Sequence, residues 1–389
     1  MEEKSRSKKK KIRLTKKAKL TLSVLFVVTA ILLIVFTAAQ NLGNMTINTM
    51  VADVRAYFAS LGAGDGYPYS IEADTVKDIK INNSNIYLLL NDKTTTLNPT
   101  AKEIMPQEHT YSSPVMKSEN SRFIIYDLDS KKFRIHQNTE ITYEGEASGR
   151  IMSAAIGQKG NYAIGTYGSN VQSVLTVYDK SNEPVFIWNF KSERIVDIDL
   201  SDNGKFAAVI TMDALNGEIN SKLYVFDFTK AEYVSCFDYA GTTLVQVDYV
   251  RKTDIIAVGD NLRTHIRSNT ERTDYSYNSD SLSYYSVTDD GRSTLLLSRY
   301  GSASLSKLAV FNPKNKEQFS LNFERHIKGI DSDGKYTAVL FDNEVRTYNK
   351  KGKELATQTF EGEPISVAVD GNKIYVLTTA GLQCLKTRG

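Results

Sequence analysis

The sequence predicts an all-β fold, a β-propeller of four-stranded blades that follows one N-terminal transmembrane helix. Three observations predict it. A turn-and-strand phrase recurs eight times at a period near 40 residues, the best copies hold four strands in a fixed order, and an uncharged run of twenty residues lies close to the start.

The first residues pose a separate physical problem. Residues 1–19 carry ten Lys or Arg against Glu2 and Glu3, a formal charge of +8. From Leu20 to Ala39 the chain reads LTLSVLFVVTAILLIVFTAA, which matches the roughly 20 helical residues that cross a hydrocarbon core of about 30 Å. The basic flank precedes this run and no comparable cluster follows. The positive-inside bias therefore places residues 1–19 in the cytoplasm and everything after Gln40 outside. The expected location is the cell membrane, single-pass, with the propeller extracytoplasmic. Thr37, Ala38 and Ala39 would also suit a cleaved signal peptide, but the run exceeds the apolar stretch of about 7 to 15 residues usual there. The tail sets topology, and residues 4–19 also suit anionic lipid, at about 1 kcal/mol per basic residue near the surface.

With +3 overall and +8 in the tail, residues 40–389 carry −5. A mildly acidic domain is a poor match for nucleic acid, whose binding is dominated by phosphate neutralisation, and that class of partner is excluded. Cys236 and Cys384 are too few for a disulfide framework and read as small core hydrophobes. Residues 40–66 form a juxtamembrane helix and linker: Met45, Met50, Val54, Tyr57, Phe58 and Leu61 share roughly one helical face, and Gly62 to Gly66 end the pattern. Packing beneath the propeller is the expected fate of that face, and lying on the membrane the other.

The propeller occupies residues 67–389. SDNGKFAAVI (201–210) and DSDGKYTAVL (331–340) share a Gly-containing turn, then Lys, an aromatic and a small apolar run, which is a hairpin turn and its second strand. The first residue of that strand falls at Ile86, Phe123, Tyr162, Phe206, Ile255, Thr294, Tyr336 and Ile374, with spacings of 37, 39, 44, 49, 39, 42 and 38. Such β-rich, turn-punctuated units mark a propeller. In the clearest copy, ERIVDIDLS, KFAAVIT, KLYVFDF and EYVSCFDY give inner, second, third and outer strands. The last unit has only PISVAVD, KIYVLTT and GLQCLKT, so YPYSIEAD (67–74) is expected to supply its fourth strand and close the ring without an open edge. Eight blades follow, or seven if a weak unit is miscounted.

This recurrent pattern resembles WD40-like and quinoprotein-like propellers. It is especially similar, over residues 67–389 and the N-terminal anchor, to membrane-anchored propeller proteins of Gram-positive bacteria known only as a family of unknown function. The Gly-His and Trp-Asp dipeptides of WD40 repeats are absent, and Trp188 is the only Trp, so the cofactors of those classes do not carry over.

His109, His136, His265 and His326 sit in different repeats with no metal-ligand spacing, and no nucleophile elbow, P-loop or dinucleotide fingerprint occurs. The turns TDDG, SDNG and DSDG lack the run of oxygen ligands of a calcium loop. No catalytic, cofactor or metal residue is expected. What stands out is loop length: TYGSNVQS (166–173), TMDALNGEINS (211–221) and SRYGSASLS (298–306) join second to third strands. They put Tyr167, Asn170, Asp213, Asn216, Glu218, Arg299 and Tyr300 above the rim, and Tyr and Arg are favoured interface anchors. The expected function is a non-catalytic scaffold that meets a protein partner at the envelope or membrane. The alternative is a cell-wall glycan-binding protein or enzyme with its site in the axial funnel.

Overall fold

The computed structural model describes residues 47–72, 75–82, 84–215, 217–299 and 305–388. The expected transmembrane segment and basic tail lie outside these residues. Among the described residues no helix is long and apolar enough to cross a membrane. The chain divides into two units, 1–50 and 51–389, and the architecture below belongs to the second.

Eight antiparallel sheets follow one another along the chain, seven of four strands and one of three, and within each the strands pair in sequence order. Blade 1 begins at Val76–Asn82 and blade 8 ends at Gly381–Lys386. All eight repeat marks fall in second strands, from Asn85–Leu90 in blade 1 to Lys373–Thr378 in blade 8.

The second strands are largely apolar because both their faces are covered, as in any strand buried on two sides. Side chains alternate faces, so Tyr87 and Leu89 enter the seam with blade 2 while Ile86, Leu88 and Leu90 enter the seam with blade 8. Blade 4 repeats the division, with Ala207 and Val209 on one side and Ala208 and Ile210 on the other. The core is therefore eight apolar clusters, one for each seam between neighbouring blades. The cluster that joins blade 8 to blade 1 closes the ring and settles the count at eight.

Closure uses less strand than the sequence suggests. Instead of a full strand from 67–74, only Tyr69 among its described residues pairs, exchanging backbone bonds with Leu382 (2.8 and 2.9 Å). The rest of the segment contributes side chains: Tyr67, Tyr69 and Ile71 pack into the seam, with Tyr67 5.7 Å from the Tyr375 ring. Pro68 removes one ladder donor, which favours packing over pairing. Gly381 has φ +117°, and a Cβ there would lie 2.5 Å from the Tyr69 carbonyl oxygen. Only glycine allows the approach.

The helix expected within residues 40–66 spans Ile47–Ser60. Its end is tied to blade 1, where Asn98 Nδ2 donates to the Ser60 and Gly62 carbonyls (3.0 Å each) and Lys102 Nζ to those of Ala59 and Leu61 (3.1 and 2.5 Å). A cation on the last carbonyls suits the helix dipole. Its apolar face does not pack beneath the propeller as expected. Val54, Tyr57, Phe58 and Leu61 are about half exposed or more, because the ties are polar: besides those at the C-terminal end, Arg55 reaches Glu140 of blade 2 at 3.5 Å. Cys236 and Cys384 are free and half-buried.

Candidate functional site: a raised rim and an acidic channel

Blade 4 departs most from a plain propeller. The stretch expected as a loop at 211–221 is strand: Phe206–Leu215 and Glu218–Asp227 pair along their full length. Pairing with the flanking strands stops at Met212↔Arg194 and Asn220↔Ala240. The pairs Ala214↔Ile219 and Leu215↔Glu218 lie beyond both flanking strands, and Asp213↔Asn220 is flanked on one side only. An Asn-Gly sequence between two strands is the strongest short hairpin signal, and Gly217 has φ +85°. Pairing therefore runs on where a loop was expected. Glu218 and Ile219 are exposed, whereas Asp213 is half-buried, with an Oδ1 that has no hydrogen-bond partner. Asn216 lies outside the described residues.

On blade 3, Tyr167 ends the second strand half-buried beneath the Arg150 guanidinium, 4.8 Å from its ring centre. Arg150 is held in turn by both oxygens of Asp129 (2.8 and 3.0 Å). Tyr167 is thus engaged within the protein, and Asn170 beyond it is exposed. Arg299 ends the second strand of blade 6, exposed, and its backbone N–H reaches the Leu305 carbonyl (3.1 Å). Tyr300 lies outside the described residues. The candidates of blades 3 and 4 stand on adjacent blades, while Arg299 is separated from them by blade 5.

The second feature went unread in the sequence. The ring axis is a channel of about 1180 Å³, lined by ten carboxylates against Lys80, Lys117 and Arg251. Several of these carboxylates, and one just behind the wall, are structural. Asp197, almost fully buried, receives Lys117 Nζ from blade 2 (2.9 Å), Ser153 Oγ from blade 3 (3.3 Å) and the Val247 N–H from blade 5 (3.0 Å). One carboxylate of blade 4 so joins four blades. Asp199 accepts the Tyr249 N–H of blade 5 (2.6 Å). Blade 7 repeats the device toward blade 8, where Asp331 accepts the Val369 N–H (2.8 Å) and Asp333 that of Gly371 (3.0 Å). The available signal was Asp at alternate inner-strand positions, Asp197 with Asp199 and Asp331 with Asp333, a period that points both to one face.

Five of the channel carboxylates hold their protons above the ordinary range. Burial, opposed by Gln158 and reinforced by Asp289, Asp202 and Asp248, pushes Glu119 up to about 7. Burial likewise pushes Asp248 to about 7, against the pull of Lys117. Asp199, Asp202 and Asp331 are raised for the same first reason. Among the described residues no group of three His, Cys, Asp or Glu is placed to hold a metal ion.

A chain of this architecture is similar to many solved structures. The C-terminal WD40 domain of Sif2 superposes with a TM-score of 0.58 at 13% identity, covering 82% of this chain and 98% of its own. Saccharomyces cerevisiae Sqt1 gives 0.56 at 10% identity, with 82% and 98% covered. BamB from Moraxella catarrhalis gives 0.52 at 13%, with 81% and 94% covered. At these identities the likeness is one of fold. No curated protein matches the chain in sequence. Residues 67–386, the whole ring, match the family of unknown function DUF5711.

Proposed function

Starting from a chain that belongs to DUF5711, a family of unknown function, we propose that the protein is a non-catalytic interaction module. In this reading residues 20–39 anchor it in the cell membrane, the basic tail stays in the cytoplasm, and the propeller presents its raised rim to a protein partner outside. The observation that carries the reading is the blade 4 hairpin, which extends two residue pairs beyond both its flanking strands with Ile219 exposed. An apolar residue held out on an ordered ribbon gains nothing for the fold and is pre-organised for contact. The inner-wall carboxylates support the same reading, since Asp197, Asp199, Asp331 and Asp333 are committed to backbone and side-chain donors of other blades. A channel carboxylate raised to about 7, Glu119, favours the second reading, a glycan site in the funnel, because general acids are tuned this way.

A photo-crosslinking residue at Glu218 in living cells should capture one defined membrane or envelope protein. The same residue at Lys350, at the other end of the blades, should not. Equal capture from both positions, or soluble cell-wall fragments that bind the channel and protect Glu119 from carbodiimide, would favour the glycan reading. Reporter fusions test the topology: Gly389 outside and Lys8 inside support it, and a cytoplasmic C-terminus ends it.

A further inference from the structure

Arg263, in the third strand of blade 5 (Leu262–Arg267), is fully buried and the largest side chain to be so. Its guanidinium donates to Ser293 Oγ, Asn315 Oδ1 and, at 3.4 Å, the Gly291 carbonyl, all on blade 6. No carboxylate among the described residues pairs with it, and burial pulls its pKa down to about 10. A cation kept from water without an opposite charge is costly.

Beside it, in the seam of blades 5 and 6, opens a pocket of about 450 Å³. Asn315 connects the two: one end of its amide accepts from Arg263 and the other donates to the Thr273 carbonyl (2.9 Å), and Thr273 and Lys314 line the pocket. Arg251 and Lys314 stand at its mouth, exposed, their side chains in no hydrogen bond or ion pair among the described residues. His265 forms part of the wall, with a side chain only 9% exposed and an Nε2 that has no hydrogen-bond partner. The acids nearby are already engaged. Glu271 Oε2 takes both Nε and Nη2 of Arg267. Asp254 accepts the Ser268 N–H (3.1 Å), and its other oxygen lies 4.0 Å from His265 Nε2, beyond hydrogen-bond reach. Four cations against two carboxylates leave +2 at this seam, within a region, residues 40–389, that carries −5.

We propose that this seam pocket binds a phosphate-bearing anion, gripped at the mouth by Arg251 and Lys314 and hydrogen-bonded by His265 Nε2, with the Arg263 charge behind it. A tetrahedral anion can use donors from several directions at once, and charge-assisted bonds of this kind are strong. The volume leaves room for an ester group beyond the phosphate. Burial first, then Arg263, Arg251 and Arg267, hold His265 below the usual imidazole value against the opposing pull of Asp254. An anion bound there adds to the pull of Asp254.

The test uses the full chain in detergent at low ionic strength, with its four histidines labelled for NMR. The probes are inorganic phosphate, glycerol 1-phosphate and dimethyl phosphate. One imidazole signal, missing in His265→Gln, should shift saturably with at least one probe, and its pKa should rise. The exposed pair Arg251→Gln/Lys314→Gln should weaken that binding about tenfold or more, while Lys350→Gln/Lys351→Gln leaves it unchanged. Preference for the monoester points to a free phosphate ester as the source, and preference for the diester to a polymer or lipid headgroup. No shift with any probe, an equal shift with chloride, or undiminished binding in the Arg251/Lys314 variant overturns the proposal.

Discussion

Blade 4 has four strands, two of them ten residues long, and a hairpin that overhangs its neighbours, whereas blade 8 has three strands and one backbone bridge to Tyr69. Both nevertheless sit between two complete apolar clusters. Strand count therefore does not decide whether a blade belongs to the ring. The seams do, since each second strand is buried from both sides. Extra strand length at blade 4 is surplus to the fold, and missing strand at blade 8 is replaced by packed side chains.

The sharpest way to break this comparison is at two glycines. At Gly381 a side chain meets the Tyr69 backbone at 2.5 Å, and backbone cannot give way, while at Gly217 in the blade 4 tip nothing lies within 4 Å. Gly381→Val should cost about 3 kcal/mol or more, visible as a large fall in the urea midpoint. Gly217→Ala should cost only about 1 kcal/mol of backbone strain. Similar losses at the two sites would mean that the closure point is as free as the hairpin tip.

The inner wall differs likewise between blade 4 and blade 7, whose carboxylates bond to blade 8. Asp197 holds a cation from blade 2, and although burial alone would lower the Lys117 amine, the Asp197 charge more than reverses it. Asp331 receives a hydroxyl and backbone N–H groups but no cation among the described residues. Asp197→Asn strands Lys117 and should cost about 2 kcal/mol or more. Asp331→Asn should cost about 1 kcal/mol. Denaturant melts of the two variants rank them, and the reverse order would remove Asp197 from its place as the link among four blades.

Much of this architecture was legible because its cause is local. Ile86, Phe123, Tyr162 and the other marks begin apolar strands after turn residues, and period-2 burial writes itself into composition wherever both faces are covered. The closure was half legible: the missing fourth strand of the last unit pointed to residues 67–74, but whether they pair or pack depends on how Gly381 and Tyr69 approach across the whole chain. The blade 4 loop was misjudged because length alone does not separate a loop from a hairpin, although Asn216-Gly217 carried the signal. The inner-wall acids and Arg263 were missed for a further reason. An Asp or Arg in a strand reads as a solvated side chain until the fold shows that it faces another blade.

Channel acidity gives a smaller effect with a definite sign. Glu119 and Asp248 keep their protons to about 7 in the folded state, against ordinary values of 4.5 and 3.8. Their contribution is therefore full in acid and is lost as pH rises from about 4 to about 7. His136, which burial holds down to about 4, acts in the opposite direction, because below its unfolded value the unfolded chain takes the proton first. The clean measurement is a difference. Glu119→Gln/Asp248→Asn should match the native protein near pH 4 and grow more stable than it toward pH 7, then hold a constant lead. A difference that does not change with pH would place both carboxylates in water.

The smallest effect on stability should come from the largest visible feature. Removing residues 213–218 and joining Met212 to Ile219 through a two-residue Asn-Gly turn shortens the blade 4 ribbon toward the length of its neighbours. Of the lost pairs only Asp213↔Asn220 has a flanking partner, Ala240 on one side, and loop-closure entropy changes slowly with length, so the melting curve should move by less than about 1 kcal/mol. Asp213 leaves with the ribbon, and its unpartnered Oδ1 is a burial cost that disappears, which offsets part of the lost ladder. If the overhang exists for a partner, crosslinking from Arg299 should fall sharply in this variant while the urea midpoint stays in place. If the midpoint falls instead by several kcal/mol, the ribbon is part of the fold and blade 4 is no more dispensable at its rim than blade 8 is at its seam.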